Sequence, residues 1–447
     1  MIPLEIRVPR APRILSHLIR VGLTAADPDH AVRRSVSRRG NRLTLAGKTY
    51  RLGPPARLVV IGAGKAAGRM AAAVERKLGP LITDGLVTTV RAPRQPRTRR
   101  IAIVEAGHPI PDGAGRRAAA RMLAMARNLG PQDLVCVLLS GGASSLMPAP
   151  ASGLTLRDLR LVTEELLRSG APIHETNVVR KHLSAIGGGR LAAATRARIV
   201  TLVLSDVLGD DLGAIGSGPT APDASTYGDA VRILRRRRLW PSLPSRVRNH
   251  LAAGLRGERE DTPKPGAPIF RRVRHVVIGN NRTALRAVAQ AARQAGLMVR
   301  TVRKPLTGDV RTVARAIGAC LDRIDATRKA SDRATCVVAG GEPTVKVTGR
   351  GRGGRAQHCA LMCASRLKGR KDVWLALFGT DGIDGPTEAA GAVVNEETLA
   401  RARRAGVSAS VALRRHDSYT FFRRVGGHLV TGPTGTNVND LMIGLAL

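Results

Sequence analysis

From Arg57 onward, short runs of β-branched and other apolar residues alternate with longer alanine-rich stretches of helical period, and this alternation constrains the fold more than any other feature. LVVIG (58–62) leads into GKAAGRMAAAVERKL, and DLVCVLLS (133–140) into a Gly/Ser turn followed by LTLRDLRLVTEELLRSG. ARIVTLVLSD (197–206) and VRHVVIGN (273–280), the latter followed by TALRAVAQAARQAGL, continue the pattern. Strands that are apolar throughout are buried on both faces, and helices between them make the strands parallel. The fold class is therefore α/β.

A single hydrophobic core stops growing near roughly 250–300 residues, so a chain of 447 residues that is 43% hydrophobic calls for two domains. Proline, glycine and charge concentrate in GLRGEREDTPKPGAP, which predicts a linker at 251–272 between a larger domain (1–250) and a smaller one (273–447). In the second part, TCVVAGGEPTVKV, DVWLALFGTDG and LVTGPTGTNVNDLM read as strands ending in glycine-rich loops. The first 50 residues carry no functional signal.

The net charge of +40 raises nucleic acid as a partner. Arginine is spread along the whole chain, however, and aromatic residues are 2%, so stacking platforms are almost absent. No specific nucleic-acid partner is expected; Arg94–Arg100 and Arg235–Arg238 read as solvated faces. No apolar stretch reaches the ~20 residues of a membrane span, and MIPLEIRVPRAPR lacks a secretory core. A soluble cytoplasmic chain is expected. Its five cysteines lack the paired short spacings of zinc or disulfide frameworks; Cys359 and Cys363 share a helix face but find no further soft ligands.

Open α/β sheets bind ligands at the carboxyl ends of their strands. After LVVIG comes Gly62-Ala63-Gly64-Lys65, a turn that carries an ammonium into a helix start, where backbone N–H groups favour anions. It has neither Walker A spacing nor a full dinucleotide fingerprint. Ser140-Gly141-Gly142-Ala143-Ser144-Ser145 offers close backbone approach and three hydroxyls, and Gly216-Ser217-Gly218-Pro219-Thr220 is a second polar turn. Each also reads as plain strand-to-helix geometry. Asp206, Asp210 and Asp211 follow an apolar run and suit Mg²⁺, or cap a helix. Later loops add Glu342, Arg355, Asp381, Asp384, Asn437 and Asp440; arginine in a glycine loop can clamp a carboxylate or a transferring phosphoryl. There is no G-x-S-x-G elbow and no HExxH, and His108, His174, His182 and His428 do not pair at metal spacing. The remaining inventory suits phosphoryl transfer, which needs positioning and charge neutralisation above all.

GAGKAA (62–67), GHPIPD (107–112), LSGGASSL (139–146), NVVRKHLSAIGGGRLA (177–192), LSDVLGDDLGAIGSGPTAPD (204–223), GGEPTV (340–345), GRGGRAQ (351–357), GTDGIDGPTEAAGA (379–392) and TGPTGTNVNDL (431–441) together resemble the glycerate 2-kinase family with a C-terminal MOFRL domain. The resemblance implies a larger Rossmann-like α/β/α domain with a parallel sheet, a smaller α/β MOFRL domain, and an active site in the cleft. It implies transfer of the γ-phosphoryl of ATP, with Mg²⁺, to the 2-hydroxyl of glycerate. The family's active-site lysine matches Lys65 and its GxGGR arginine matches Arg355. Phosphate contacts are expected from Gly62, Gly64, Ser140, Gly141, Gly142, Ser144, Ser145, Ser217 and Thr220. Substrate contacts are expected from Lys181, Arg190, Asn437 and Asp440, and metal contacts from Asp206, Asp211, Glu342, Asp381 and Asp384. The chain departs from the usual GGRNQE at Ala356 and His358 and from IKGGRLA at Gly187, changes that bear on substrate preference. Alternatives are another small hydroxy acid as acceptor, or a hydroxypyruvate reductase using NAD(P)H. For the reductase, the ribose-binding acid falls near Asp84 without a clean second strand before it. A homodimer is compatible with either reading.

Overall fold

Six strands lie side by side in the order Val273–Gly279, Arg198–Leu204, Leu134–Ser140, Leu58–Ala63, Ile82–Thr89 and Ala102–Glu105. This computed structural model describes residues 3–92, 94–331 and 333–447. The pairings from Arg198–Leu204 to Ala102–Glu105 are all parallel. Leu58–Ala63 and Leu134–Ser140 are buried at every position, which is why both read as unbroken apolar runs. Alternate residues Val59, Ile61, Val135, Val137 and Leu139 share a core with Ala119, Met122 and Ala126 of helix Gly113–Arg127. From Leu58–Ala63 the chain winds outward through Ile82–Thr89 to Ala102–Glu105, then returns to begin again at Leu134–Ser140 on the other side.

A helical layer belongs to the same unit. Helices Leu156–Arg168, Ile173–His182, Tyr227–Arg236 and Ser245–Leu255 bury Val162, Leu166, Val179, Val231, Leu234, Val247 and Leu251 among themselves. Thr155 with Asp158, and Thr226 with Asp229, form reciprocal capping boxes that fix where two of these helices start. A three-stranded antiparallel meander, Val36–Arg39, Arg42–Leu45 and Lys48–Arg51, completes this unit, which spans Ala31–Ile278.

The second unit comprises the residues up to His30 together with Gly279–Leu447. Its mixed sheet runs Glu5–Ile6, His428–Val430, Gly391–Asn395, Val373–Gly379, Asp440–Ala446, Thr335–Thr344 and Met298–Thr301, with Leu306–Asp309 also paired to Thr335–Thr344. Asp440–Ala446 is antiparallel to both its neighbours, and its first residue stands level with Gly341 on one side and Gly379 on the other. Asp440 is thus flanked by a glycine inside one strand and a glycine at the end of the other.

Two boundaries differ from the sequence reading. The expected linker at 251–272 lies wholly inside the larger unit, and Val273–Gly279 adds the edge strand of the six-stranded sheet beside Arg198–Leu204 instead of opening the second domain. The N-terminal helix Arg13–Ala25 belongs to the second unit, where Leu15, Leu18, Ile19 and Leu23 are buried and the helix packs on Asn281–Gln294. Among the described residues no helix is long and apolar enough to cross a membrane.

Candidate active site

The winding of the six-stranded sheet reverses between Leu58–Ala63 and Leu134–Ser140, the point beyond which open parallel sheets bind ligands. The loops that leave these two strands are laced together. The Lys65 N–H donates to the Gly141 carbonyl (2.8 Å), and the Ala66 N–H donates to Ser140 Oγ (3.0 Å). The Lys65 carbonyl accepts from Thr89 Oγ1 (3.1 Å), so both sides of this residue's backbone are held. Such an approach leaves no room for side chains. A Cβ on Gly64, at φ +139°, would lie 2.1 Å from Ser140 Oγ, and one on Gly141 would lie 1.8 Å from Asp206 Oδ2. The second contact places the Asp206 carboxylate, at the end of Arg198–Leu204, directly against the Ser140–Gly142 turn.

His108 and Lys65 both border Gly142. Packing of its ring, and then the Lys65 charge, push the His108 pKa down to about 4, although the residue as a whole is exposed. The imidazole is therefore neutral near pH 7. Ser144 Oγ and Ser217 Oγ share a hydrogen bond at 2.8 Å, and Ser217 Oγ also reaches Asn177 Oδ1 (3.4 Å). Ser145 Oγ donates to the Gly142 carbonyl and closes the turn (3.0 Å). Gly62, still in its strand, faces the backbone of Leu138.

In the second unit Arg355 opens helix Arg355–Cys363. Its Nε and Nη2 donate to Asp440 Oδ2 (2.7 Å) and Oδ1 (2.9 Å), a bidentate pair, and Nη1 donates to Glu342 Oε1 (2.9 Å). Burial opposes the Arg355 charge, but these carboxylates outweigh it and raise the pKa. Burial raises the Asp440 pKa, with Asp381 and Glu342 adding repulsion against the pull of Arg355. Asp384 accepts the N–H groups of Ala356 (3.0 Å) and Gln357 (2.8 Å) and the Gln357 amide (3.0 Å) at the start of the helix. Burial, with the Asp440 charge added, pushes Asp384 up to about 6 against those donors.

The other expected residues fall elsewhere. The Lys181 ammonium is buried on Asp223 Oδ1 (3.2 Å). Arg190 donates to the carbonyls of Asp261 (3.3 Å) and Glu260 (3.4 Å), tying down the stretch read as a linker. Thr220, 1% exposed, shares hydrogen bonds with Thr201 Oγ1 and His275 Nε2. A buried polar group must be partnered; Lys181 and Thr220 meet that need inside the fold, and half-buried Arg190 is held by backbone carbonyls. Asp384 is likewise filled by three donors. Asp211 Oδ1 accepts from the Gly213 N–H, Asp381 Oδ1 from the Ile383 N–H, and Asn437 Oδ1 from the Asn439 N–H. Among the described residues no three His, Cys, Asp or Glu side chains gather to hold a metal ion. Two further residues stand out in the structure: His108, whose motif GHPIPD carries it to Gly142, and Asn281, whose amide donates to the carbonyls of Val438 (2.9 Å) and Asp440 (3.0 Å) and pins the closing loop.

The chain matches DUF4147, a domain of unknown function, over residues 14–252 and the MOFRL family over residues 335–440. It is 37% identical over 446 residues to glycerate 2-kinase of Pyrococcus horikoshii, spanning 100% of this chain and 98% of that protein. The chain belongs to the glycerate 2-kinase family. Another relative, D-glycerate 2-kinase of Thermotoga maritima, is 36% identical over 97% of this chain and 98% of its own length. A putative hydroxypyruvate reductase of Agrobacterium vitis is 41% identical over 96% and 93%. The crystal structure of Thermotoga maritima glycerate kinase superimposes with a TM-score of 0.86 at 34% identity, covering 97% of this chain and 99% of that one. A Pyrococcus horikoshii crystal structure gives 0.85 at 37% identity, covering 97% and 98%. The two-part α/β architecture is thus that of the glycerate 2-kinase family.

Proposed function

We propose that this chain transfers the γ-phosphoryl of ATP, with Mg²⁺, to the 2-hydroxyl of D-glycerate in the cytoplasm, giving 2-phosphoglycerate and ADP. The observation that carries the reading is the laced Gly64-Lys65 and Ser140-Gly141-Gly142 pair at the sheet's reversal point, in a chain similar to glycerate 2-kinases along its full length. With its backbone held on both sides, Lys65 runs its side chain past Gly142, and its ammonium would meet phosphoryl oxygens while the Ser144 and Ser217 hydroxyls add donors. Neutral His108 accepts a hydrogen bond from the attacking hydroxyl and takes its proton as the new O–P bond forms and the bond to ADP breaks, then passes it to water; a loose transition state needs little more from a base. Asp206, set against Gly141, would hold Mg²⁺, which needs only one or two protein carboxylates and would neutralise phosphate charge. In the second unit, Arg355 orders the Glu342 and Asp440 carboxylates.

The reductase reading is weaker on one point. A ribose-binding acid belongs at the carboxyl end of the second strand, and Ile82–Thr89 ends in two threonines, while Asp84 sits near its start with Oδ1 on the Gly85 N–H. The test is ATP-dependent phosphorylation of D-glycerate, with enolase added to tell 2- from 3-phosphoglycerate. Lys65→Ala should lower kcat/KM by roughly 10²–10³-fold. Oxidation of NADH by hydroxypyruvate without phosphoryl transfer would sink the proposal.

A further inference from the structure

Several arginines of the larger unit pair with an acid: Arg237 reaches Glu175, Arg246 reaches Asp158 and Arg57 reaches Asp133. Arg180, on helix Ile173–His182, does not. It is half-buried, and its one hydrogen bond among the described residues runs from Nε to Thr163 Oγ1 at 3.4 Å, leaving the two terminal nitrogens of the fork without a protein partner. Removal from water lowers its pKa, and no carboxylate counters the shift. An arginine charge withdrawn from water is expensive unless something anionic completes it.

Arg180 lines a cavity of about 50 Å³ that, among the described residues, no aspartate or glutamate borders. Ser144, Ser184 and Ser217 supply hydroxyls to it, while Met147 and Val162 form part of an apolar wall that strengthens any charge interaction inside. Pro109, which follows His108, and Ser144, two residues past Gly142, join the cavity to the ring and turn that border Lys65. A water-sized group occupies about 10–15 Å³ by this measure, so the space takes roughly three to five such groups. That accommodates a carboxylate and the carbon that bears it, and is too small for a nucleoside. A guanidinium fork matches a carboxylate bidentately.

We infer that Arg180 and the cavity it lines bind the carboxylate of the acceptor, so that Arg180 selects a hydroxy acid over a neutral alcohol. The inference rests on the kinase reading above. A nucleotide phosphate offers similar chemistry, and separate Michaelis constants distinguish the two sources.

The experiment uses the full chain with Arg180→Gln and Arg180→Lys. The glutamine variant should raise KM for D-glycerate by roughly 10–100-fold, leave KM for ATP within about twofold, and erase the preference for D-glycerate over its neutral amide. Lysine, which keeps the charge without the fork, should fall between. An unchanged KM for glycerate overturns the inference, and so does a rise confined to ATP, which would assign the cavity to phosphate. Arg180→Met should unfold at or above the wild-type temperature, because no ion pair is lost; a clear fall would mark a structural role and also overturn it. Should wild type make no phosphoglycerate, the kinase reading fails by itself, and calorimetric titration with D-glycerate decides the inference. Binding that Arg180→Gln abolishes upholds it, and absence of binding or equal binding refutes it.

Discussion

Replacing Arg355 by alanine tests whether the charged array around Asp440 is as tightly coupled as its geometry implies. The change removes two donors from Asp440 and one from Glu342, and leaves a buried carboxylate beside the charges of Asp381 and Glu342. Breaking a fully buried pair costs roughly 3–5 kcal/mol. The Arg355 side chain is 30% exposed, so water can replace part of what Asp440 loses, and about 2–3 kcal/mol is expected. In a unit of roughly 200 residues that lowers Tm by about 4–12 °C. Calorimetry on Arg355→Ala, Asp440→Ala and the double variant completes the cycle, and the double variant should recover much of the loss. Acid supplies a second check. A carboxyl whose folded pKa lies above its unfolded value destabilises the fold as pH rises through that interval. Without Arg355 the Asp440 pKa rises further, so the deficit should shrink as pH falls and Asp440 protonates. Additivity within about 0.5 kcal/mol, or a deficit that does not move between neutral and acidic pH, would refute the coupling.

Asp384, raised to about 6 from 3.8, makes wild-type stability fall as pH rises through that window, by roughly 3 kcal/mol; urea unfolding of Asp384→Asn should show this slope flattened. Gly141→Ala drives a Cβ to within 1.8 Å of Asp206 Oδ2, so the turn must shift; about 1–3 kcal/mol of stability and most of the turnover should be lost, as denaturation and steady-state assays would report. Lys181→Met leaves buried Asp223 unpaired and should cost about 3 kcal/mol while KM for D-glycerate, measured where the variant is folded, stays unchanged.

Much of the larger unit was legible because wholly apolar runs such as LVVIG and VCVLL have few homes outside a doubly covered parallel sheet. Strand order was not, since pairing joins segments far apart in the chain and apolar runs carry no address. VRHVVIG shows the cost: it reads correctly as a strand, yet nothing in its composition says that it closes the first sheet instead of opening the second. The N-terminal helix, which the bounds 1–250 put in the larger domain, lies in the second unit for the same reason, because the residues that cover Leu18 and Leu23 belong to a unit whose remainder begins at Gly279.

The site was legible where chemistry and backbone demand coincide. Gly64 and Gly141 stand at strand ends where only glycine permits the approach, so the pattern of small residues around Lys65 marks the place. Side-chain charge gave no such guidance in a chain this rich in arginine. Arg180 and Lys181 are neighbours on one helix, and successive helical residues point about 100° apart. One ammonium turns inward to Asp223 while the adjacent guanidinium lines a cavity, and a motif containing both cannot say which does which. What separates them is the partner each finds in three dimensions. Lys181 is answered by an acid of its own fold, and Arg180, which no acid among the described residues meets, is the one left to recognise something brought from outside.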